Sequence, residues 1–300
     1  MKIGFIGLGN MGEPMARNLF ESGCDISVFD LQEEKCKVFA GMGVKVASSG
    51  QDLAANVDIL FTSLPEPKHV AAALPDILSV MSKGSIWVDL TTNDKDVLLD
   101  MAELANDREI KVVEAPVTGA VDGARLRKLT FFVGGNKEDV DAIIPYFEML
   151  GLPIHCGGLG SGNVVKLITN QIWFINACAI GEALSLGQNN GIDLLTLWHA
   201  IKNSVGDTFV ARHDVPSIFA GHYDPSFSLE LCCKDLRLLD QLGTETRTQM
   251  DLTRLARQKF EEAREEFGND EAELLVCKRV ENASNTNLQV EGDWVNHWDV

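Results

Sequence analysis

The chain is poor in the features that mark secreted, metal-bound or nucleic-acid-binding proteins. It has seven cysteines, an odd number, and no CxxC pair. A disulfide framework is therefore not expected, and the pattern is that of reduced thiols in a cytoplasmic protein. The six histidines show no HxxxH spacing, so no metal is expected. Basic residues are scarce: 26 Lys and Arg stand against 44 Asp and Glu, a formal net charge of −18. A field of that sign repels phosphate backbones and anionic bilayers, which argues against nucleic acid and membrane as partners. No uninterrupted apolar run reaches the roughly 20 residues of a bilayer span. The N-terminal MKIGFIGLGNMGEP has one Lys, is broken by Gly and Asn and lacks a small-residue cleavage pattern. It reads as a strand and a turn, not as a targeting segment.

What is present is organised in two halves, in keeping with about two domains for 300 residues. Short apolar runs at 2–7, 25–30, 57–64, 85–90, 110–115 and 129–133 alternate with helical patterns at 11–22, 33–41, 68–81, 95–106 and 137–150. That alternation predicts an α/β domain, a Rossmann-type doubly wound parallel sheet covered on both faces. From Asn163 the texture changes. A long helical pattern runs to about Asn190 with apolar residues at helical spacing, and further helices are expected at 193–203, 228–242 and 247–267. The expected division is residues 1–162 for the α/β domain and 163–300 for an all-α domain, joined by the long helix. The tail from 281 is polar and ends in GDWVNHWDV. Its two tryptophans suggest docking, against another subunit among other surfaces, and the alternative is a loosely ordered end.

The first chemical signal is Gly7-Leu8-Gly9-Asn10-Met11-Gly12, a GxGxxG directly after a strand and opening a helix. Gly7 permits the tight turn, Gly9 lets a pyrophosphate approach the backbone and Gly12 lets helix and strand pack closely. The helix start then supplies free N–H groups and partial positive charge, which answers the unfavourable global field. Asp30 ends the second strand, where a carboxylate accepts ribose hydroxyls and repels a 2′-phosphate, favouring NAD over NADP.

Four ordered stretches resemble the β-hydroxyacid dehydrogenases, the group of 3-hydroxyisobutyrate dehydrogenase. GFIGLGNMGEPMARNL resembles the opening signature, and Glu114-Ala115-Pro116-Val117-Thr118-Gly119-Ala120 the substrate motif, usually APVSGG. Gly160 to Asn170 resembles the catalytic GxGxxxKxxxN, and Lys234-Asp235-Leu236 the cofactor-contacting KDL. The resemblance implies an NAD-dependent oxidoreductase interconverting a short 3-hydroxy acid and its semialdehyde. It also implies Lys166 and Asn170 as the catalytic pair and Thr118, Gly119 and Ala120 at the substrate. Leu64, Pro65, Thr92 and Lys234 are carried over as cofactor contacts beside Gly7, Leu8, Gly9, Asn10, Met11, Gly12 and Asp30. Asn93 and Asp94 depart from a more usual pair containing Pro.

The residues support that reading physically. Gly162, Lys166 and Asn170 are spaced i, i+4, i+8 and share one helix face. Hydride transfer at a carbinol needs a proton moved on oxygen, and a partly desolvated Lys can take or return it. Asn170 can hold the substrate oxygen, and the small Gly162 leaves space for nicotinamide or substrate. Pro116 forces Ala115 extended, and Thr118 with Gly119 offers a hydroxyl and N–H groups to a carboxylate. Arg125, Arg127 and Lys128 form the densest basic cluster. Arg127 is placed with the substrate, as a contact for a second anionic group, against the alternative of a loop paired with local acids. Phe209, His213 and Phe227 are further aromatic candidates for the pocket.

The rival readings are a NADPH-linked reductase of small aldehydes of the glyoxylate or succinic semialdehyde type, and a non-catalytic dinucleotide-binding scaffold. Imine reductases share the architecture and usually lack the Lys, so Lys166 counts against them. The apolar helices of the second half predict a homodimer or homotetramer, and the expected partner is a small anionic hydroxy acid or semialdehyde.

Overall fold

The computed structural model describes residues 1–295, and the chain divides into two compact units, Met1–Lys166 and a second from Leu167 onward. The expectation put the boundary at 162/163; the contacts divide four residues later, inside the long helix. The reason is that the first turn of that helix is bonded into the sheet of the first unit.

The first unit holds nine strands: β1 (Lys2–Ile6), β2 (Asp25–Phe29), β3 (Lys45–Val46), β4 (Ile59–Thr62), β5 (Ile86–Asp89), β6 (Lys111–Glu114), β7 (Val117–Thr118), β8 (Leu129–Gly135) and β9 (Gly151–Gly157). They lie in the order β3-β2-β1-β4-β5-β6-β8-β7, with β9 on β8. Strands β1 to β6 are parallel, in a register that sets Ile3 beside Ile26 and Ile59, and Ile59 beside Ile86. The expected all-parallel sheet needs one correction. Strand β8 runs antiparallel to β6 and β7, because only a short helix and two turns separate β7 from β8, too little chain for a crossover.

Helices α1 (Gly12–Glu21), α2 (Glu33–Gly41), α3 (Gly50–Ala54), α4 (Pro67–Leu78), α5 (Lys95–Asn106), α6 (Ala120–Leu126) and α7 (Lys137–Glu148) accompany the strands. Strands β4 and β5 are buried at every position, as expected for a sheet covered on both faces. One core lies around Phe5, Phe61, Phe131 and Phe147, whose rings contact one another at 4.6–6.2 Å. The other lies around Leu60, Trp87, Leu74 and Leu98. This doubly wound sheet is the architecture that the alternating pattern predicted.

Helix α8 (Ser161–Asn189) leads into the second unit, where α9 (Leu194–Lys202), α10 (Val215–Ala220), α11 (Leu229–Glu245), α12 (Asp251–Phe267) and α13 (Leu275–Ser284) surround a core that includes Phe174, Phe219, Leu236 and Phe260. A π-helical turn at Val210–Asp214 precedes α10. By length and composition α8 is long and apolar enough to cross a bilayer, although polar residues interrupt it, so no uninterrupted apolar run reaches that length. The helix carries Lys166 and Glu182, and its start is bonded inside the first unit. Of the tail, Trp294 stacks edge-on against Trp198 and Phe219 of the same unit and Val290 N–H donates to the Phe219 carbonyl. Trp298 lies outside the described residues. All seven cysteines are free thiols.

The glycine turn shows why this local sequence is fixed. Gly7 adopts φ +94°, and a Cβ there would strike the Ser63 carbonyl. A Cβ on Gly12 would run into the Gly7 carbonyl oxygen. Gly12→Ala is therefore expected to cost roughly 1–3 kcal/mol, read as a lower urea midpoint at unchanged m-value. A loss below about 0.5 kcal/mol would remove the packing argument.

Candidate active site

The C-terminal ends of the parallel strands gather most of the predicted residues of the first unit. The turn Gly7–Gly12 leaves β1 and enters α1, whose start has no side-chain cap. No side-chain cap therefore competes with an anion there, although Glu13 N–H already donates to the Gly9 carbonyl at 3.0 Å and Pro14 has no N–H. Asp30, at the end of β2, folds back on this turn: its carboxylate accepts from Leu8 N–H at 2.7 Å and from Gln32 N–H at 2.8 Å. Nothing lies within 4 Å of a Cβ placed on Gly9. Unlike its two partners, Gly9 is not demanded by internal packing, and the space in front of it suits a close-lying pyrophosphate. Asn10 is exposed and Met11 half-buried. Leu64 follows β4, with its N–H on Thr91 Oγ1 at 3.2 Å. Pro65 is exposed, and Thr92 is half-buried beside Thr91.

The substrate motif follows β6. Thr118 ends β7, paired with Thr130. Gly119 turns at φ +124° and Ala120 at φ +50°. A left-handed alanine is a strained position, and it stands where the motif usually has a second glycine. Asn18 of α1 donates to the Ala124 carbonyl at 2.7 Å, tying this loop to the helix that follows the glycine turn. Arg127 is bonded within the first unit. Its guanidinium is engaged with α1, at Asn18 Oδ1 (3.3 Å), Ser22 Oγ (3.1 Å) and Glu21 (3.3 Å). Arg125 pairs with Asp122 at 3.4 Å. The basic cluster is thus answered by neighbouring acids, and Arg127 joins elements of the scaffold.

Lys166 sits half-buried in the second turn of α8. What fixes that helix is Glu114, a fully buried carboxylate at the end of β6. It accepts from Gly162 N–H (2.9 Å), from Asn163 N–H (3.1 Å) and from the Asn163 side-chain amide. Sequence reasoning quoted Glu114 inside the motif but gave it no role. The available signal was a carboxylate closing an apolar strand, which must find donors when buried. Gly162 needs a correction. A Cβ there would strike the Phe132 carbonyl of β8, so its smallness serves the seating of α8 on the sheet and not space for a ligand.

In the second unit Asn170 donates to Asp235 Oδ2 at 2.7 Å, and Lys234 Nζ lies 3.1 Å from Asp235 Oδ1. Lys234 and Asp235 are both buried on α11. Asp235, missed as a site residue although it stood in the quoted KDL, joins the two that were predicted. His213 is buried, stacked on Phe209 at 4.7 Å, with Nδ1 2.7 Å from Asp214 Oδ1. Asp214 also accepts from Trp173 Nε1 at 2.7 Å. His213 is thus tied into its own helical bundle.

Burial pushes the Glu114 carboxyl up to about 7, against the lowering effect of its amide donors. The folded protein therefore keeps this proton between pH 4.5 and 7 while the unfolded chain has released it. The contribution to stability is full below about 4.5 and is lost as pH rises through 7, on the order of 3 kcal/mol in all. Glu114→Gln is expected to flatten this part of the stability–pH curve. An unchanged slope in urea titrations across the window would show that Glu114 does not titrate there.

Comparison with known proteins identifies the family. The family profile described as the NAD binding domain of 6-phosphogluconate dehydrogenase matches residues 2–158. The profile described as NAD-binding of NADP-dependent 3-hydroxyisobutyrate dehydrogenase matches residues 160–279. The chain is 34% identical to 2-(hydroxymethyl)glutarate dehydrogenase of Eubacterium barkeri, over 88% of this chain and 89% of that one. It is also 34% identical to mitochondrial 3-hydroxyisobutyrate dehydrogenase of Mus musculus, over 86% and 80%. The solved structure of Mycobacterium tuberculosis 3-hydroxyisobutyrate dehydrogenase with L-serine superposes with a TM-score of 0.87 at 27% identity, covering 93% of this chain and 98% of that one. With its ordered motifs, its doubly wound sheet and these matches along most of its length, the chain belongs to the β-hydroxyacid dehydrogenase family of nicotinamide-dependent oxidoreductases.

Proposed function

We propose that the protein oxidises a short 3-hydroxy acid to its semialdehyde with NAD, or runs the reverse reduction, with Lys166 as acid and base. The observation that carries this reading is the half-buried amine in the second turn of α8, a helix whose first turn is bonded to Glu114 at the end of β6. The relatives named above act, by their names, on 3-hydroxyisobutyrate and 2-(hydroxymethyl)glutarate, both small hydroxylated carboxylates.

The first unit fits a dinucleotide: Gly9 leaves open space, the α1 start is uncapped and Asp30 faces the turn. A bound nicotinamide would supply the hydride acceptor for oxidation and the hydride donor for reduction. The chain's own task is the proton. In oxidation the neutral Lys166 amine removes the hydroxyl proton as the C–O double bond forms, and in reduction its ammonium gives one back to the oxygen. The Thr118 hydroxyl and the N–H groups of Gly119 and Ala120 hold the substrate carboxylate, and Asn170, itself held by Asp235, orients the reacting oxygen. Lys234 contacts the cofactor. NAD is favoured over NADP because Asp30 puts a negative charge where a 2′-phosphate would sit, and Leu31-Gln32 offers no cation beside it.

The exposed apolar side chains Ile168, Ile172 and Leu186 along α8 support assembly into a homodimer or homotetramer. Seven free thiols support a reducing, cytoplasmic location.

Lys166→Ala is expected to lower kcat by about 10²–10⁴-fold while thermal unfolding and NADH binding stay near wild type; a folded variant with wild-type turnover would overturn the assignment. The kcat/KM for NAD should exceed that for NADP by at least about tenfold, equivalent to about 1.4 kcal/mol. Equal or reversed values would favour the NADPH-linked reading.

A further inference from the structure

A set of buried polar side chains in the first unit has so far been given no part in the reaction. Asp89 at the end of β5, Asn93 in the following loop, Asn163 in α8 and Glu114 at the end of β6 are all essentially inaccessible to solvent. They form one continuous hydrogen-bonded chain. Asn93 Nδ2 donates to Asp89 Oδ2 at 2.9 Å, Asn93 N–H donates to Asn163 Oδ1 at 2.7 Å, and the Asn163 amide donates to Glu114. Asp89 also accepts from Thr62 Oγ1 and Thr91 N–H, each at 3.1 Å.

The direction of each link is fixed. The Asn93 main-chain N–H can only donate, so Asn163 Oδ1 must accept from it and the Asn163 Nδ2 group is left to donate to Glu114. The seat is also closed sterically. A Cβ on Gly134 would strike Glu114 Oε1, and one on Gly162 would strike the Phe132 carbonyl. This leaves the first turn of α8 little freedom to shift on the sheet, and Lys166 stands one turn beyond Gly162 on the same helix face. At the other end of the chain, Asn93 adjoins Thr92, and Asp94 caps α5 by accepting from Asp96 N–H at 2.8 Å. The Asn93-Asp94 pair that departs from the usual sequence thus has a role: it links this loop to the seat of the helix.

We propose that Glu114 is a positioning residue for Lys166, holding the first turn of α8 and, through Asn163 and Asn93, fixing it to the loop that carries Thr92. This rests on the reading of Lys166 as the acid and base. A displacement of a fraction of an ångström at the proton-transferring group is costly in rate and nearly silent in cofactor affinity.

A double-mutant cycle tests it, with wild type, Glu114→Gln, Lys166→Ala and the double variant. Oxidation of 3-hydroxyisobutyrate by NAD is followed in stopped flow, in mildly alkaline buffer where Glu114 is ionised. Glu114→Gln is expected to lower kcat by about ten- to a hundredfold with the NADH dissociation constant within about twofold of wild type. In the Lys166→Ala background the same change should have no further effect beyond about twofold, because the amine it positions is gone. Equal losses in both backgrounds would overturn the proposal and leave Glu114 a general structural residue. Wild-type turnover by Lys166→Ala alone would instead overturn the acid/base reading, and the positioning role with it. Should Glu114→Gln fail to fold, Asn163→Ala takes its place in the cycle. It keeps the two main-chain bonds to Glu114 and cuts the link to Asn93, and the same non-additivity is expected.

Discussion

The structure of the first unit depends on one buried carboxylate meeting the beginning of one helix. Glu114 is that carboxylate. It is held by main-chain N–H groups of the first turn of α8 and by the Asn163 amide. Such a charge is expensive to bury, and the helix start offers what water would otherwise provide: several converging donors and a favourable dipole. The interaction works in both directions. The carboxylate satisfies amides that a helix leaves unpaired, and the helix is thereby fixed to the end of β6.

That arrangement explains several glycines at once. Gly134 makes room for the carboxylate, and Gly162 lets the helix reach the sheet. At the other side of the unit the same logic runs through Asp30, which closes on the glycine turn by accepting from Leu8 N–H. In both places a carboxylate at a strand end organises a helix start or turn behind it. In a chain with net charge −18, these two acids are committed to ordering backbone amides.

Much of the architecture was legible from spacing. The strand–helix alternation of the first half, the long helix after residue 160 and the helical second half all follow from hydrophobic periodicity, which reports what each residue buries. The glycine turn was legible because Gly7 and Gly12 serve sterically in ways no other residue can. The antiparallel β8 was not legible, since strand direction depends on how the chain returns and not on the pattern within the strand. The structural contacts of Arg127 and Gly162 were not legible for a related reason. A basic residue in a loop and a small one in a helix each have several uses, and the choice belongs to neighbours distant in sequence, Glu21 and Phe132.

The sequence by itself determined the order of elements, the chemical kinds of residue at each motif and the family to which they belong, because these follow from local spacing and composition. The tertiary structure alone decided which donors meet which acceptors. That Glu114 finds Gly162 and Asn163, that Asn93 finds Asn163, and that Asn170 finds Asp235 are contacts between residues tens of positions apart. Their partners are selected by burial: a polar group removed from water must take whichever complementary group the packing of the core brings within reach.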